Sequence, residues 1–321
     1  MRAWQFNSPE DGLKYVDVDP PIPGPGEVLI DVEAAGMCHS DVQIVNGHGD
    51  AWLHKRPIIL GHEVAGTVRG LGGGVNDIAI GDRVAVALPA PPIEQRDFVN
   101  GVGRGFDGGF AEQAVSSRAN IVAIPDGVPF THAAAATDSI ATAYHAVVSE
   151  AGAGAASTIA IIGLDGLGLS AVQIAKARGA TVYGVDINSS VLDSAREQGA
   201  IDCFSDIREV PGSVDAVVDF AGMGSTIAAA VAAVKPGGRI VVVGSGVPEV
   251  MIDIQPLITN NVALRGSLGA SIDDLEAVLD LLAKKELVPV IEEVSFAEIP
   301  DALKRLEVGQ VRGLLVASSG T

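Results

Sequence analysis

Cys38, His62 and Asp138 are residues whose side chains could together bind a transition metal, although they lie far apart in the chain. The cysteine lies in Gly-Met-Cys-His-Ser-Asp, the histidine in Gly-His-Glu-Val-Ala-Gly and the aspartate in Thr-Asp-Ser. A catalytic zinc takes three protein ligands drawn from thiolate, imidazole and carboxylate, and it leaves a fourth position open for water or substrate. If the fold brings the three side chains together, they provide that number and chemistry of ligands.

Each of these three residues also has an ordinary structural explanation. A single cysteine is most often a core residue, and a single histidine at a strand end is most often a polar residue with its hydrogen bonds satisfied. Asp138 precedes the helical pattern of residues 139–148, where it would act as the helix N-cap. The metal hypothesis therefore depends on all three residues converging.

A glycine-rich turn at residues 163–168 lies between a predicted strand and a predicted helix. Backbone N–H groups at such a helix start can hold a pyrophosphate. The next predicted strand closes at Asp186, at the spacing where a carboxylate accepts hydrogen bonds from a ribose diol. The candidate cofactor-binding residues of this segment are Gly163, Asp165, Gly166, Leu167, Gly168 and Asp186.

The two aspartates of this segment have different consequences for cofactor binding. The carboxylate of Asp186 would repel a 2′-phosphate, so NAD is preferred over NADP. Asp165 fits less well, because it brings a negative charge toward the phosphates. Its carboxylate either accepts hydrogen bonds from N–H groups at the helix start or faces the ligand and weakens binding. A metal and a nicotinamide together indicate hydride transfer.

Two kinds of secondary-structure pattern must position these groups. The first 125 or so residues are rich in glycine and proline and contain short alternating runs, which predict short β-strands with tight turns. From residue 157 onward strands alternate with amphipathic helices, which predicts a doubly wound parallel sheet. We expect an α/β protein in which a nucleotide-binding domain (127–264) is inserted into a mostly-β domain (1–126 and 265–321).

The composition limits the classes of function. The 321 residues include 21 basic and 40 acidic side chains, a formal net charge of −19, which argues against nucleic-acid and membrane-surface partners. No apolar run reaches the roughly 18 residues of a membrane span, and the first residues lack the apolar segment of a secretory signal. Cys38 and Cys203 are the two cysteines, so no disulfide framework is indicated. Cys203 is interpreted as a core residue. A cytoplasmic protein is expected.

The sequence resembles the medium-chain zinc-dependent alcohol dehydrogenase family over nearly its whole length. The most specific part of the match is Gly61-His62-Glu63 followed by Gly66 and Gly72, and then Gly81-Asp82-Arg83-Val84. The resemblance implies a GroES-like catalytic domain with an inserted Rossmann domain that binds NAD(H). It also implies self-association through the nucleotide domain, as a homodimer or a dimer of dimers.

The resemblance implies one catalytic Zn²⁺ per chain. Cys38, His62 and Asp138 would be its ligands, and Glu63 would be an alternate or neighbouring carboxylate. Asp138 departs from many relatives, which carry a second cysteine at this place. Relatives often hold a structural zinc with four closely spaced cysteines, but residues 89–108 contain none, so no structural zinc is expected.

Further roles are also implied by the resemblance. Ser40 would pass on the proton from the substrate oxygen, although it could equally cap a helix that begins near Asp41. His39 would approach the cofactor phosphates, unless it is a solvent-facing histidine, and Arg312 would reach the cofactor from near the last strand. Gln43 replaces a titratable histidine of many relatives, so the proton would leave by another route.

The implied function is a zinc-dependent oxidoreductase that transfers a hydride between a primary or secondary alcohol, or its carbonyl, and NAD(H). One alternative is a zinc-free, NADPH-dependent reductase of enones or quinones. Another is a catalytically silent NAD-binding or structural protein, which Asp165 and Gln43 would explain. The loops expected to line the pocket (47–55, 89–108 and 267–271) show no obvious clamp for a carboxylate or phosphate, so a modestly apolar substrate is expected.

Overall fold

In the computed structural model, residues 1–88 and 101–319 are described. The chain forms two units, one made of Met1–Ala141, Ala270–Lys284 and Val290–Thr321 and the other of Thr142–Gly269 and Lys285–Pro289. The predicted fold class, a doubly wound parallel-sheet domain inserted into a mostly-β domain, is confirmed. The domain boundaries placed after residues 126 and 264 stay a prediction.

Strands dominate the first unit and alternate with helices in the second. The strands are β1 (Arg2–Phe6), β2 (Leu13–Asp17), β3 (Glu27–Met37), β4 (Ile58–Ile59), β5 (Glu63–Leu71), β6 (Arg83–Val86), β7 (Gln113–Ser117), β8 (Ile121–Ala123), β9 (Thr158–Ile162), β10 (Thr181–Val185), β11 (Asp202–Phe204), β12 (Val214–Asp219), β13 (Val234–Val242), β14 (Ala263–Gly266), β15 (Ile291–Ser295) and β16 (Leu314–Ser318). The helices are α1 (His39–Val45), α2 (Phe130–Ala135), α3 (Ala141–Tyr144), α4 (Leu167–Ala177), α5 (Ser189–Gln198), α6 (Gly224–Ala233), α7 (Ile254–Thr259), α8 (Ile272–Ala283) and α9 (Ile299–Glu307).

The long strand β3 organises the first unit. Its first half alternates buried and partly exposed residues, as expected for a strand with one face on the core, and its last four residues are all buried. In the main sheet of this unit the strand order is β15-β16-β3-β5-β6-β8, with β7 also paired to β3. Because Gly36 of β3 pairs with Glu63 of β5, the residues that follow β3 and precede β5 are brought side by side.

An alanine-rich helical segment covers this sheet. Helix α2 packs on β3 and β5, and its small side chains at Ala133, Ala134 and Ala135 are completely buried. The segment continues through a π-helical turn at Ala136–Ile140, α3, and a second π-helical turn at His145–Glu150. Asp138 lies inside the first π-helical turn, so its interpretation as a helix N-cap is wrong.

The second unit contains a parallel sheet with the strand order β11-β10-β9-β12-β13-β14. This is the order of a doubly wound dinucleotide-binding sheet, whose ligand site lies at the carboxyl ends of the strands where the order reverses. Here that point is between β9 and β12. The central strands are apolar runs because both of their faces are covered, and Ile159, Ala160 and Ile161 are fully buried.

The C-terminal elements join the first unit. β16 pairs with β3 in an antiparallel register that sets Val316 opposite Gly36, and β15 pairs in parallel with β16. Helix α9 contributes Ile299 and Leu303 to the core of that unit. Across residues 1–88 and 101–319, none of the helices combines the length and apolar character needed to cross a bilayer.

Candidate metal and nucleotide sites

Four side chains of types that bind metals meet in the first unit. Cys38 precedes α1, His62 and Glu63 stand at the start of β5, and Asp138 projects from the π-helical turn. One potential ligand atom from each lies within 4.8 Å of the other three. The structure therefore brings together the three predicted zinc ligands and the predicted alternate carboxylate.

The imidazole of His62 has a fixed orientation within this cluster. Its Nδ1 is 3.2 Å from Oδ1 of Asp41, and its Nε2 is 3.2 Å from Oδ2 of Asp138. Asp41 is completely buried, and its Oδ2 also accepts a hydrogen bond of 3.0 Å from the Cys38 backbone N–H. Asp41 thus holds both Cys38 and His62, in the manner of the carboxylate–histidine–metal arrangements of zinc proteins.

Glu63 is held toward the cluster by its neighbours on the sheet and the helix. The Ser139 hydroxyl, next to Asp138, donates a hydrogen bond of 2.6 Å to Oε1 of Glu63. On the opposite strand, a Cβ at Gly36 would lie 2.0 Å from Oε2 of Glu63. Only glycine at that position leaves room for the carboxylate, which explains this glycine beside the cysteine loop.

The charges of the cluster favour a bound cation. Burial, together with the nearby charge of Asp138, raises the pKa of Glu63 to about 8. Burial alone would lower the pKa of His62, but the charge of Asp41 and the hydrogen bonds that the imidazole donates to Asp138 and Asp41 raise it well above 6.5. Protons therefore occupy the cluster when no metal is bound. A divalent cation would displace them and relieve the repulsion between the carboxylates.

Asp41 keeps its negative charge despite complete burial. Burial would raise its pKa, but the charge of His62, the hydrogen bond with His62 and the charge of Arg104 lower it below 3.8. The carboxylate can therefore accept the Nδ1–H hydrogen bond of a neutral His62 and leave Nε2 as a metal ligand. The donor set fits a zinc ion.

Ser40 lies beside the metal cluster. Helix α1 begins at His39 with Cys38 as its N-cap, so Ser40 lies within the first turn and is not the cap. Its Oγ is 3.5 Å from Nε2 of His62 and accepts a hydrogen bond of 2.8 Å from Nη2 of Arg104. The hydroxyl is therefore placed where a substrate oxygen at the cluster would meet it.

Arg104 is a site residue that sequence reasoning missed. Its side chain is buried, with 6% of the residue exposed, and its guanidinium carbon lies 5.4 Å from the centroid of the Trp52 ring. The sequence showed no obvious clamp for an anion in the loop that contains Arg104, and that expectation stays a prediction. The only sequence signal was a single arginine between two glycines, which does not reveal where its side chain points.

Several other predicted features are not part of the metal cluster. His39 and Arg312 are both exposed, and their contacts with a cofactor stay predictions. Of the segment expected to lack a structural zinc, residues 89–100 lie outside the described residues. Both cysteines of the chain are free, Cys203 being buried in β11 as expected of a core residue.

The glycine-rich turn of the second unit joins β9 to α4. Gly163 follows β9 with φ +82°, and Gly166 precedes α4 with φ +46°. A Cβ at Gly168 would lie 1.8 Å from the carbonyl oxygen of Gly163, so the first turn of α4 approaches the strand end as closely as only glycine allows. This is the close helix–strand packing that the last glycine of a dinucleotide-binding turn allows.

Asp186 and Asp165 both bind backbone N–H groups near this turn. Asp186 follows β10 and accepts hydrogen bonds from Leu164 (2.7 Å) and Asn188 (2.8 Å), one on each oxygen. Each oxygen keeps a lone pair that a ribose hydroxyl can use. Asp165 accepts a hydrogen bond of 2.9 Å from the N–H of Gly166, which is the local, capping-type contact that the sequence left open.

Comparison with known proteins finds relatives of both units. Residues 24–126 match the family model of the alcohol dehydrogenase GroES-like domain, and residues 166–284 match that of the zinc-binding dehydrogenases. An alcohol dehydrogenase from Geobacillus stearothermophilus is 31% identical over 98% of this chain and 98% of its own.

Two solved structures illustrate the similarity of fold. Acetophenone reductase from Geotrichum candidum in complex with NAD is 33% identical, with a TM-score of 0.89 over 99% of this chain and 97% of that one. The cobalt- and zinc-bound thermostable alcohol dehydrogenase from Pyrobaculum aerophilum is 28% identical, with a TM-score of 0.88 over 99% of each chain. This chain belongs to the medium-chain, zinc-type alcohol dehydrogenase family of oxidoreductases.

Proposed function

We propose that the protein is a zinc-dependent dehydrogenase that interconverts an alcohol and its carbonyl with NAD(H). The observation that carries this proposal is the convergence of Cys38, His62, Glu63 and Asp138, whose ligand atoms lie within 4.8 Å of one another. Cys38, His62 and Asp138 would hold one zinc ion, and Glu63 would stand beside it as an alternate ligand. A zinc-bound relative and an NAD-bound relative of the same fold support the assignment.

Each cofactor would supply one part of the chemistry. When bound, zinc acts as a Lewis acid on the substrate oxygen and NAD⁺ accepts the hydride. The protein's own residues position the reacting groups. Asp41 holds His62 with Nε2 toward the cluster, and Asp186 would accept hydrogen bonds from the adenosine ribose. The turn that ends at Gly168 would hold the pyrophosphate.

Ser40 is the residue we assign to proton transfer. Its hydroxyl stands 3.5 Å from the metal-facing nitrogen of His62, where it can take a proton from the substrate hydroxyl and release its own. Gln43 cannot change charge, so the proton would leave this hydroxyl through water or cofactor hydroxyls. A positioned hydroxyl of this kind contributes typically 10²–10⁴-fold as a general acid or base.

One set of measurements separates this proposal from its alternatives. The purified chain would be analysed for zinc content, titrated with NADH and NADPH by fluorescence, and assayed with a panel of primary and secondary alcohols. We expect about one equivalent of zinc per chain, tighter binding of NADH than of NADPH, and turnover that depends on zinc. NADPH preference with turnover independent of zinc would instead favour an enone or quinone reductase. NAD binding without turnover of alcohols or carbonyls would indicate a silent protein.

We also propose that the chain associates through the second unit, as a homodimer or a dimer of dimers. Strand β14 is the edge strand of its sheet and all four of its residues are exposed. Exposed apolar side chains nearby include Ile254, Ile258 and Leu264. An exposed edge strand and an apolar patch commonly mark an association surface. A cytoplasmic location is proposed as well, since free cysteines suit a reducing compartment.

A further inference from the structure

Arg104 is a buried cation beside the proposed reaction centre that the steps assigned above do not use. Its Nη2 donates to Oγ of Ser40 at 2.8 Å, and Ser40 Oγ is itself 3.5 Å from Nε2 of His62. The guanidinium therefore contacts Ser40, which lies directly beside the metal cluster. A substrate oxygen bound next to Ser40 would bring its adjacent carbon within reach of this guanidinium.

The guanidinium of Arg104 has unused hydrogen-bonding capacity. Its Nε is completely buried and has no hydrogen-bond partner among the described residues. Among the described residues no carboxylate forms an ion pair with Arg104, and its guanidinium lies over the Trp52 ring. The charge of this guanidinium is therefore not neutralised by a protein carboxylate in direct contact, and its Nη groups could form charge-assisted hydrogen bonds with an anion.

The loop that carries Arg104 is fixed against the strand that leads to His62. Backbone N–H groups of Gly108 and Gly109 donate to the carbonyls of Ile59 and Gly61, at 2.8 Å and 2.7 Å. A Cβ at Gly103 would lie 2.9 Å from the backbone of Gly61. Because the loop is seated this closely, Arg104 is held at a set distance from His62.

We infer that Arg104 binds a carboxylate on the carbon next to the reacting carbon, so that the substrates are 2-hydroxy carboxylates and the products 2-oxo carboxylates. This inference rests on the proposed dehydrogenase function. A hydride with its electron pair leaves C2 of the acid for NAD⁺, and the hydroxyl proton passes through Ser40 to solvent. The products are the 2-oxo acid, NADH and one proton. Arginine forms two parallel hydrogen bonds to a carboxylate, which a neutral amide cannot match.

The test compares acids with their neutral isosteres in the zinc-loaded full chain. Straight-chain 2-hydroxy acids and mandelate would each be assayed with NAD⁺ against the corresponding 2-hydroxy amide. We expect the best acid to exceed its amide in kcat/KM by about 10- to 100-fold, the worth of hydrogen bonds to a charged group. In Arg104→Gln this ratio is expected to fall to near unity, and in Arg104→Lys to an intermediate value. Arg118→Gln, which removes a surface arginine paired with Asp77, is the matched control.

A binding measurement provides a readout that does not depend on turnover. 2-Hydroxyisobutyrate has no hydrogen on C2 and cannot be oxidised, so its affinity and that of its amide can be measured by calorimetry. The acid is expected to bind the wild-type chain more tightly than the amide by the same factor. In Arg104→Gln we expect the acid and the amide to bind with equal affinity. If Arg104 only positions Ser40, its replacement will lower acids and amides alike, which overturns the inference.

The outcomes distinguish this inference from the proposed function. Zinc-dependent oxidation of neutral alcohols, with acids no better than amides, refutes the carboxylate site and leaves the dehydrogenase assignment intact. A protein that binds no zinc and oxidises neither class refutes both. If Arg104→Gln does not fold, Arg104→Lys provides the test. A lysine lacks the planar fork, so an Arg104→Lys protein with the full preference for acids over amides would contradict bidentate recognition.

Discussion

At the scale of single residues, Asp138 gives the metal cluster its particular chemistry. As a zinc ligand it would supply oxygen at the place where the family resemblance implies a second cysteine. One thiolate and one carboxylate would still balance the charge of Zn²⁺, while oxygen would donate less electron density and leave the ion a stronger Lewis acid. The members of the cluster could be predicted from the sequence, because their residue types and their order along the chain indicate a metal site. It could not predict Arg104 or Ser139, whose roles depend on how their loop and helix are oriented.

Replacing Asp138 tests its role as a ligand. Asp138→Asn keeps the size of the side chain but removes its charge, so we expect zinc retention and activity to fall by at least about 100-fold, beyond the effect typical of an outer-shell change. Asp138→Cys restores an anionic ligand and should retain zinc. Metal content after dialysis against a weak chelator measures both variants. An Asp138→Asn protein with full zinc and full activity would exclude Asp138 as a ligand.

We expect Asp186 to determine the choice between the two nicotinamide cofactors. Asp186→Gly removes the carboxylate that would repel a 2′-phosphate, and we expect the ratio of kcat/KM for NAD to that for NADP to drop by about 10-fold or more, the scale of one lost charge interaction. The variant also loses the hydrogen bonds to Leu164 and Asn188, so its melting temperature must be measured beside the kinetics. An unchanged cofactor ratio in a folded variant would contradict the ribose role.

At the scale of secondary structure, the pairing of β3 with β5 and the π-helical turn assemble the cluster. The alternation of the strands and the alanine-rich helix were both readable in the sequence. The π-helical turn was not, because an extra residue per turn has no sequence signature in an alanine run. It nevertheless shifts Asp138 and Ser139 onto the face that meets His62 and Glu63, in keeping with the frequent use of π-turns at functional sites.

Gly36 tests the strand pairing that supports Glu63. In Gly36→Ala the new Cβ would lie 2.0 Å from Oε2 and 2.8 Å from Cβ of Glu63, and the second contact cannot be relieved by side-chain rotation alone. We expect a loss of about 1–3 kcal/mol in the free energy of unfolding, together with weaker zinc binding. Gly73→Ala is the control, since a Cβ there meets nothing within 4 Å. Equal stability of the two variants would show that Glu63 is not confined by Gly36.

At the scale of the whole molecule, the buried cluster links stability to pH. In the metal-free protein the pKa of Glu63 is about 8, against an ordinary value of 4.5, so the folded state binds a proton that the unfolded state has lost. Its contribution is therefore most favourable below pH 4.5 and declines as the pH rises toward 8. His62, whose pKa is raised well above 6.5, acts in the same direction at higher pH.

We therefore expect the metal-free protein to become less stable between about pH 5 and about pH 8, by at most about 1.4 kcal/mol per pH unit for Glu63. Glu63→Gln should flatten this slope. The zinc-loaded protein should show the opposite trend in its extra stability, because zinc displaces the protons and binds more tightly as pH rises. Urea unfolding across this range measures all three. Slopes that are identical in wild type and Glu63→Gln would contradict the coupling.

One zinc ion held by Cys38, His62 and Asp138 is the feature on which the proposed function depends. Diffraction data collected on both sides of the zinc absorption edge, from crystals of the protein purified without added chelator, test it most directly. We expect one anomalous peak per chain, within bonding distance of the cysteine sulfur, Nε2 of the histidine and a carboxylate oxygen of the aspartate. A well-ordered cluster with no anomalous peak, in a protein that still oxidises alcohols, would contradict it.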